Sequence, residues 1–182
     1  MVRTTDMHPA DDELLVIRCQ MGESAAFDDL IARWAGPLWS FVRRLVESDD
    51  TAREVVQDVW VRVVRGLPRL REGSKLRAWL FGIARRALMD RLREQYARAP
   101  ATDMDVDELP AATPPYDADE LEALDTAVQS LPLLEREAVS LFYLQELSLS
   151  EIAETLTVPV GTVKSRLFRG RRLLRQHLTE RG

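Results

Sequence analysis

The chain predicts an all-α fold: two small helical domains joined by a flexible acidic linker, the C-terminal one built on a helix-turn-helix. Three observations point there. Apolar residues recur at three- and four-residue spacing through most of the 182 positions, the period of helices with one buried face. Residues 98–119 break that period with Pro100, Pro110, Pro114, Pro115 and a series of Asp and Glu, a composition that resists a packed core. Residues 147–178 set a short capped helix against a long basic one across a proline turn. The boundaries that follow are 1–97, 98–119 and 120–182.

In the first domain, residues 11–21 predict a short helix with Leu14, Leu15 and Ile17 apolar, stopped at Gly22. A second helix begins near Ser24, with Phe27, Leu30, Ile31 and Trp34 on its buried face. Gly36-Pro37 should bend or interrupt it before Leu38, Phe41, Val42, Leu45 and Val46 resume the pattern. Ser48-Asp49-Asp50 reads as a break. Residues 51–65 form the next helix, Thr51 and Glu54 having the spacing of a capping box and Gly66 ending it. Residues 66–76 read as a basic loop from their Gly, Pro and Ser content. A long helix follows, with Trp79, Leu80, Ile83, Ala84, Ala87, Leu88 and Leu92 as its core stripe.

In the second domain, Leu121, Leu124, Ala127, Val128 and Leu131 mark one helix and Leu133 to Leu144 another, opened by Pro132. Ser148 and Glu151 then repeat the capping-box spacing, with Leu147 and Ile152 as a hydrophobic staple. The turn is Thr157-Val158-Pro159. In the last helix Val163, Leu167, Gly170 and Leu174 share one stripe. Off that stripe, from Val160 to Gln176, stand six Lys and Arg and no Asp or Glu. A face needing only solubility would mix signs, since opposite charges at i,i+4 support each other. A single sign suits a polyanion, and the arrangement is that of a helix entering the DNA major groove.

The formal net charge of −5 argues against a nucleic-acid partner until its distribution is examined. Residues 62–93 carry ten Lys and Arg against Glu72 and Asp90, a net of +8. Residues 103–154 carry fourteen Asp and Glu against Arg136, a net of −13. The basic loop beside Trp79 and Phe81 has the parts for single-stranded DNA, cations for phosphate and planar groups for bases; both aromatics equally suit a core. Cys19 is the lone cysteine, which rules out an internal disulfide. The first residues lack the pattern of a secretory signal, and a cytoplasmic setting is expected. No nucleotide-binding, hydrolase or metalloprotease motif occurs. No catalytic residue, metal site or cofactor is expected.

Two stretches resemble a known family. EVVQDVWVRVVRGLPRLREGSKLRAWLFGIARRALMDRLRE (54–94) and LPLLEREAVSLFYLQELSLSEIAETLTVPVGTVKSRLFRGRRLL (131–174) are similar to bacterial RNA polymerase sigma factors of the extracytoplasmic-function (ECF) group of the sigma-70 family. The resemblance implies an initiation factor with core RNA polymerase and promoter DNA, duplex and single-stranded, as partners. It implies a stress-response setting, commonly an anti-sigma factor, and no membrane insertion. It assigns Gln57, Asp58 and Arg62 to polymerase binding. Arg71, Gly73, Ser74, Lys75 and Leu76 match the loop that captures a flipped base of the −10 element, and Trp79, Arg85 and Arg86 the helix beside the melted strand. Thr162, Lys164, Ser165, Arg166, Arg169 and Arg172 match the −35 contacts. The family often reads I-A-x-N where this chain has Ile83-Ala84-Arg85-Arg86. A dimeric regulator with an N-terminal sensing domain and a helical adaptor that binds no DNA are the alternatives.

Overall fold

The computed structural model describes residues 9–98 and 120–179. Eight α-helices run in order: α1 (Pro9–Gln20), α2 (Ser24–Arg43), α3 (Asp49–Gly66), α4 (Leu76–Arg98), α5 (Glu120–Gln129), α6 (Leu133–Val139), α7 (Leu149–Leu156) and α8 (Val160–Thr179). The predicted linker lies outside the described residues.

The first half is organised around α2, α3 and α4. Leu30, Trp34, Leu38 and Phe41 of α2 face Val55, Val59 and Val63 of α3 and Leu80, Phe81, Ala84 and Leu88 of α4, all buried. Phe81 settles its two alternatives in favour of the core: fully buried, it meets Trp34 and Phe41 edge-on, with ring centroids 6.2 and 5.4 Å apart. Such pairs add about 0.5–1.5 kcal/mol beyond area burial.

Several boundaries differ from the sequence expectation. Helix α2 runs through Pro37 without interruption. Trp34, Leu38 and Phe41 on either side of the proline are all buried, so both halves pack into the same core. Helix α3 starts at Asp49, capped by Ser48, whose Oγ accepts from the Thr51 amide at 3.2 Å. The expected break is thus the cap itself, and Asp49 and Asp50 occupy the first turn, where the helix dipole favours acids. In α1 the inner face is Asp12, Leu15, Val16 and Cys19, leaving Leu14 and Ile17 exposed; Ile31 of α2 also faces outward. The expected loop contains two 3₁₀ turns, Leu67–Arg69 and Gly73–Lys75.

The second half packs α8 across α6 and α7. After Val139 the helix widens into one π turn, Ser140–Leu144, in place of a uniform helix to Leu144. Ser148 and Glu151 form the full capping box of α7: the Glu151 amide donates to Ser148 Oγ at 3.3 Å and the Ser148 amide to Glu151 Oε2 at 2.8 Å. Thr157 closes α7 in the left-handed region at φ 55°, turning the chain into α8. Val163, Leu167 and Gly170 are buried, as the stripe requires. Gly170 allows close approach, since a Cβ there would stand 2.7 Å from Val139 Cγ2.

Candidate nucleic-acid interface

Three surfaces carry the predicted contact residues. The first is the outer face of α3. Gln57 is exposed, and Arg62 bridges Asp58 at 2.7 Å and Asp90 of α4 at 2.8 Å. Val61 and Val64 are exposed beside them. Sequence periodicity missed this pair, although α3 has more valines than one buried stripe uses. Exposed valines flanked by charges suit a protein partner.

The second surface is a cleft of about 260 Å³ lined in part by Arg71, Glu72, Lys75, Trp79, Gly82 and Arg86. The indole of Trp79 lies against the end of α3, where a Cβ on Gly66 would approach its Cζ2 to 2.9 Å. Ser74 and Arg71 are exposed, whereas Gly73 and Leu76 are buried. Those two shape the loop; their side-chain positions face inward. Gly73 is required because a Cβ there would come 2.8 Å from the Glu13 Cα of α1. Arg86 is exposed at the cleft, and its guanidinium folds back to 3.6 Å from where a Gly82 Cβ would sit.

This cleft borders the second half of the chain. Lys75 Nζ lies 3.1 Å from Glu72 and 3.7 Å from Glu154 of α7. Thr155 Oγ1 donates to the Ala78 carbonyl at 3.2 Å, and Arg77 donates to the Gln145 carbonyl. Arg85 Nε donates to Glu137 at 3.1 Å. On the far side Arg44 pairs with Asp125 at 2.7 Å, and Arg136 donates to the Arg44 carbonyl at 3.3 Å. Glu137 is fully buried. Burial pushes its carboxyl up, against the lowering pull of Arg85 and Arg166.

The third surface is α8. Lys164, Ser165, Arg169 and Arg172 are exposed and Thr162 is half-buried. Arg169 reaches Glu135 at 3.0 Å with its side chain still 62% exposed. Arg166 differs: it is half-buried, and its Nη1 is enclosed without a hydrogen-bond partner, within electrostatic reach of Glu137. Phe168, off the buried stripe, is 65% exposed among these cations. Among the described residues no group of three His, Cys, Asp or Glu is placed to hold a metal, and no helix is long and apolar enough to cross a membrane.

Comparison with known proteins defines the class first. Residues 30–98 match sigma-70 region 2 and residues 121–174 match sigma-70 region 4. The chain is 35% identical to the ECF RNA polymerase sigma-E factor of Escherichia coli K12, the alignment covering 88% of this chain and 90% of that one. It is 31% identical to the RNA polymerase sigma-H factor of Pseudomonas aeruginosa, with the same coverage. The chain belongs to the ECF group of sigma-70 family RNA polymerase sigma factors. It is accordingly a non-enzymatic initiation factor that binds core RNA polymerase and promoters. Sigma-70 region 2 stands where the alternative reading put a sensing domain.

Two solved structures share the fold. CnrH in complex with the cytosolic domain of CnrY aligns with a TM-score of 0.70 over 94% of this chain and 99% of that one, at 23% identity. The sigma factor RpoE in complex with the anti-sigma factor NepR from Bartonella quintana aligns at 0.69 over 84% and 96%, at 26% identity.

Proposed function

We propose that the labour is divided between residues 1–97, which bind polymerase and open the −10 element, and residues 120–182, which read the −35 duplex, with 98–119 as the tether. Gln57, Asp58 and Arg62, joined by Val61 and Val64, dock on the core enzyme. Arg71, Ser74 and Lys75 hold the displaced strand, Trp79 and Arg86 line the cleft that receives an extruded base, and Gly73 and Leu76 set the loop's shape. Extruding a base costs a few kcal/mol, which these contacts offset. Thr162, Lys164, Ser165, Arg166, Arg169 and Arg172 face the −35 major groove.

The observation that carries this division is the cleft. It gathers Arg71, Lys75, Trp79 and Arg86 from a loop and a helix, cations and an aromatic plane together. Arg85 is held by Glu137 of the other half, and Lys75 is shared between Glu72 of its own loop and Glu154 of the other half. The two halves therefore part when polymerase spreads them along a promoter, and both cations pass from carboxylates to phosphates. The likeness to a structure of RpoE with the anti-sigma factor NepR supports control by an anti-sigma factor, and the likeness to sigma-E supports a stress-response role and a cytoplasmic setting.

The test is transcription from a random promoter library with purified core polymerase. Ser74→Ala with Lys75→Ala should impair opening, read by permanganate, more than closed-complex binding, read by gel shift. Equal loss of both would reject the division.

A further inference from the structure

We infer that Gln20, on α1, is a positioning residue for the strand-capturing loop. Its amide nitrogen donates to two loop carbonyls at once, Leu67 O at 2.9 Å and Leu70 O at 2.8 Å. These acceptors lie 47 and 50 residues further along the chain. Among the described residues no other side chain hydrogen-bonds the backbone of residues 67–75. The loop's own backbone bonds there are short turn bonds, Leu70 N to Leu67 O at 3.1 Å, Lys75 N to Glu72 O at 3.0 Å and the Leu76 amide to Gly73 O. Between them, Leu70 to Glu72 runs extended, without a ladder partner. The chain turns from the first 3₁₀ turn into that extended stretch at Leu70, and Gln20 pins the turn on both sides.

Two further contacts make α1 the bed on which the loop lies. The backbone of Gly73 sits directly on α1, its missing Cβ leaving room for Glu13 Cα. Asp12, buried beneath, lies 3.3 Å from Arg33 of α2 and within electrostatic reach of Arg77 in the first turn of α4. The loop is thus located against α1 at its start by Gln20 and at its middle by Glu13. A capturing surface is effective when its groups are already where the extruded base arrives. Without the Gln20 clamp, Arg71 and Lys75 would have to be ordered during melting itself. Gln20 touches no nucleic acid in this scheme; it acts through Leu67 and Leu70. The inference rests on the loop's role in opening proposed above.

The test uses holoenzyme on a promoter selected from the random library. Gln20→Glu keeps the shape but lacks both donors, and Gln20→Lys restores donors at similar reach. Gln20→Glu should lower open-complex formation on duplex DNA by roughly ten-fold, the loss expected from one or two net hydrogen bonds. Core-polymerase binding should not change, and Gln20→Lys should stay close to the wild type. On a template already mismatched across the −10 element the Gln20→Glu deficit should largely vanish. A purely structural defect would instead lower both templates equally, and that result would overturn the inference. So would normal opening by Gln20→Glu while Ser74→Ala with Lys75→Ala fails to open. If that double variant also opens normally, the loop's role itself is wrong and the inference goes with it.

Discussion

Gly170→Ala offers a quantitative check on how α8 is seated. A Cβ at Gly170 would stand 2.7 Å from Val139 Cγ2 and 3.6 Å from Glu135 Cβ. Val139 is buried and β-branched, so it has few ways to turn aside. Overpacking of this kind costs about 1–3 kcal/mol. Replacing glycine by alanine inside a helix returns about 1 kcal/mol. The net expectation is a loss of roughly 1 kcal/mol, where an open helical glycine would give a gain of similar size. A double-mutant cycle separates the two terms. With Val139→Ala the methyl in conflict is gone, and Gly170→Ala should then stabilise by about 1 kcal/mol, a coupling on the order of 2 kcal/mol. Urea unfolding followed by far-ultraviolet circular dichroism measures all four corners. A stabilising Gly170→Ala in both backgrounds, with additive effects, would refute the close approach of α6 and α8.

Other expectations can be measured alongside. Ser148→Ala should cost about 1 kcal/mol, because it removes the acceptor of the α7 capping box; the same unfolding curves report it. Lys164 makes no hydrogen bond or ion pair among the described residues, so Lys164→Ala should leave stability within about 0.5 kcal/mol. If Lys164 meets a phosphate, the salt slope of −35 binding should fall by roughly 0.9, read from gel shifts at several salt concentrations. Arg166→Ala should instead lose stability by about 1–3 kcal/mol as well as affinity, since it removes a cation facing buried Glu137; affinity loss at unchanged stability would contradict that burial. Asp12 has its carboxyl pushed up by burial, against the lowering pull of Arg33 and Arg77. A raised folded value favours the fold most at acid pH and loses that support as pH climbs through it. The stability difference between wild type and Asp12→Asn should therefore move in favour of wild type from pH 7 toward pH 4, in paired urea midpoints. A difference that stays flat or moves the other way would contradict the raised carboxyl.

The parts legible in the sequence were those fixed by neighbours in the chain. The Ser148–Glu151 box, the Thr157-Val158-Pro159 turn and the Val163–Gly170 stripe each depend on residues within a few positions, and each stands where the pattern put it. The start of α3 shows the limit of local rules. The Thr51–Glu54 spacing suggests a cap, yet the helix begins two residues earlier with Ser48 as its N-cap, and the two acidic residues that read as a break form its first turn. Pro37 shows local preference overruled by packing, with Trp34 and Phe41 fixing the helix on both sides. Long-range pairs were beyond sequence reading. Nothing near Arg85 announces Glu137, 52 residues away, and nothing near Glu137 announces its burial. The basic residues were found from charge alone. Charge could not tell that Lys164 is free while Arg166 is partly enclosed.

The sigma-70 region 2 match begins at residue 30, after α1 has ended. A fragment trimmed to that limit would retain each cation and aromatic of the proposed promoter-opening surface. It would lose the shelf under that surface, and with it the reason Gly73 must be a glycine. Likeness between relatives marks what they share in sequence; the mechanical unit here starts some twenty residues earlier, and engineered exchanges of region 2 should be cut upstream of Pro9.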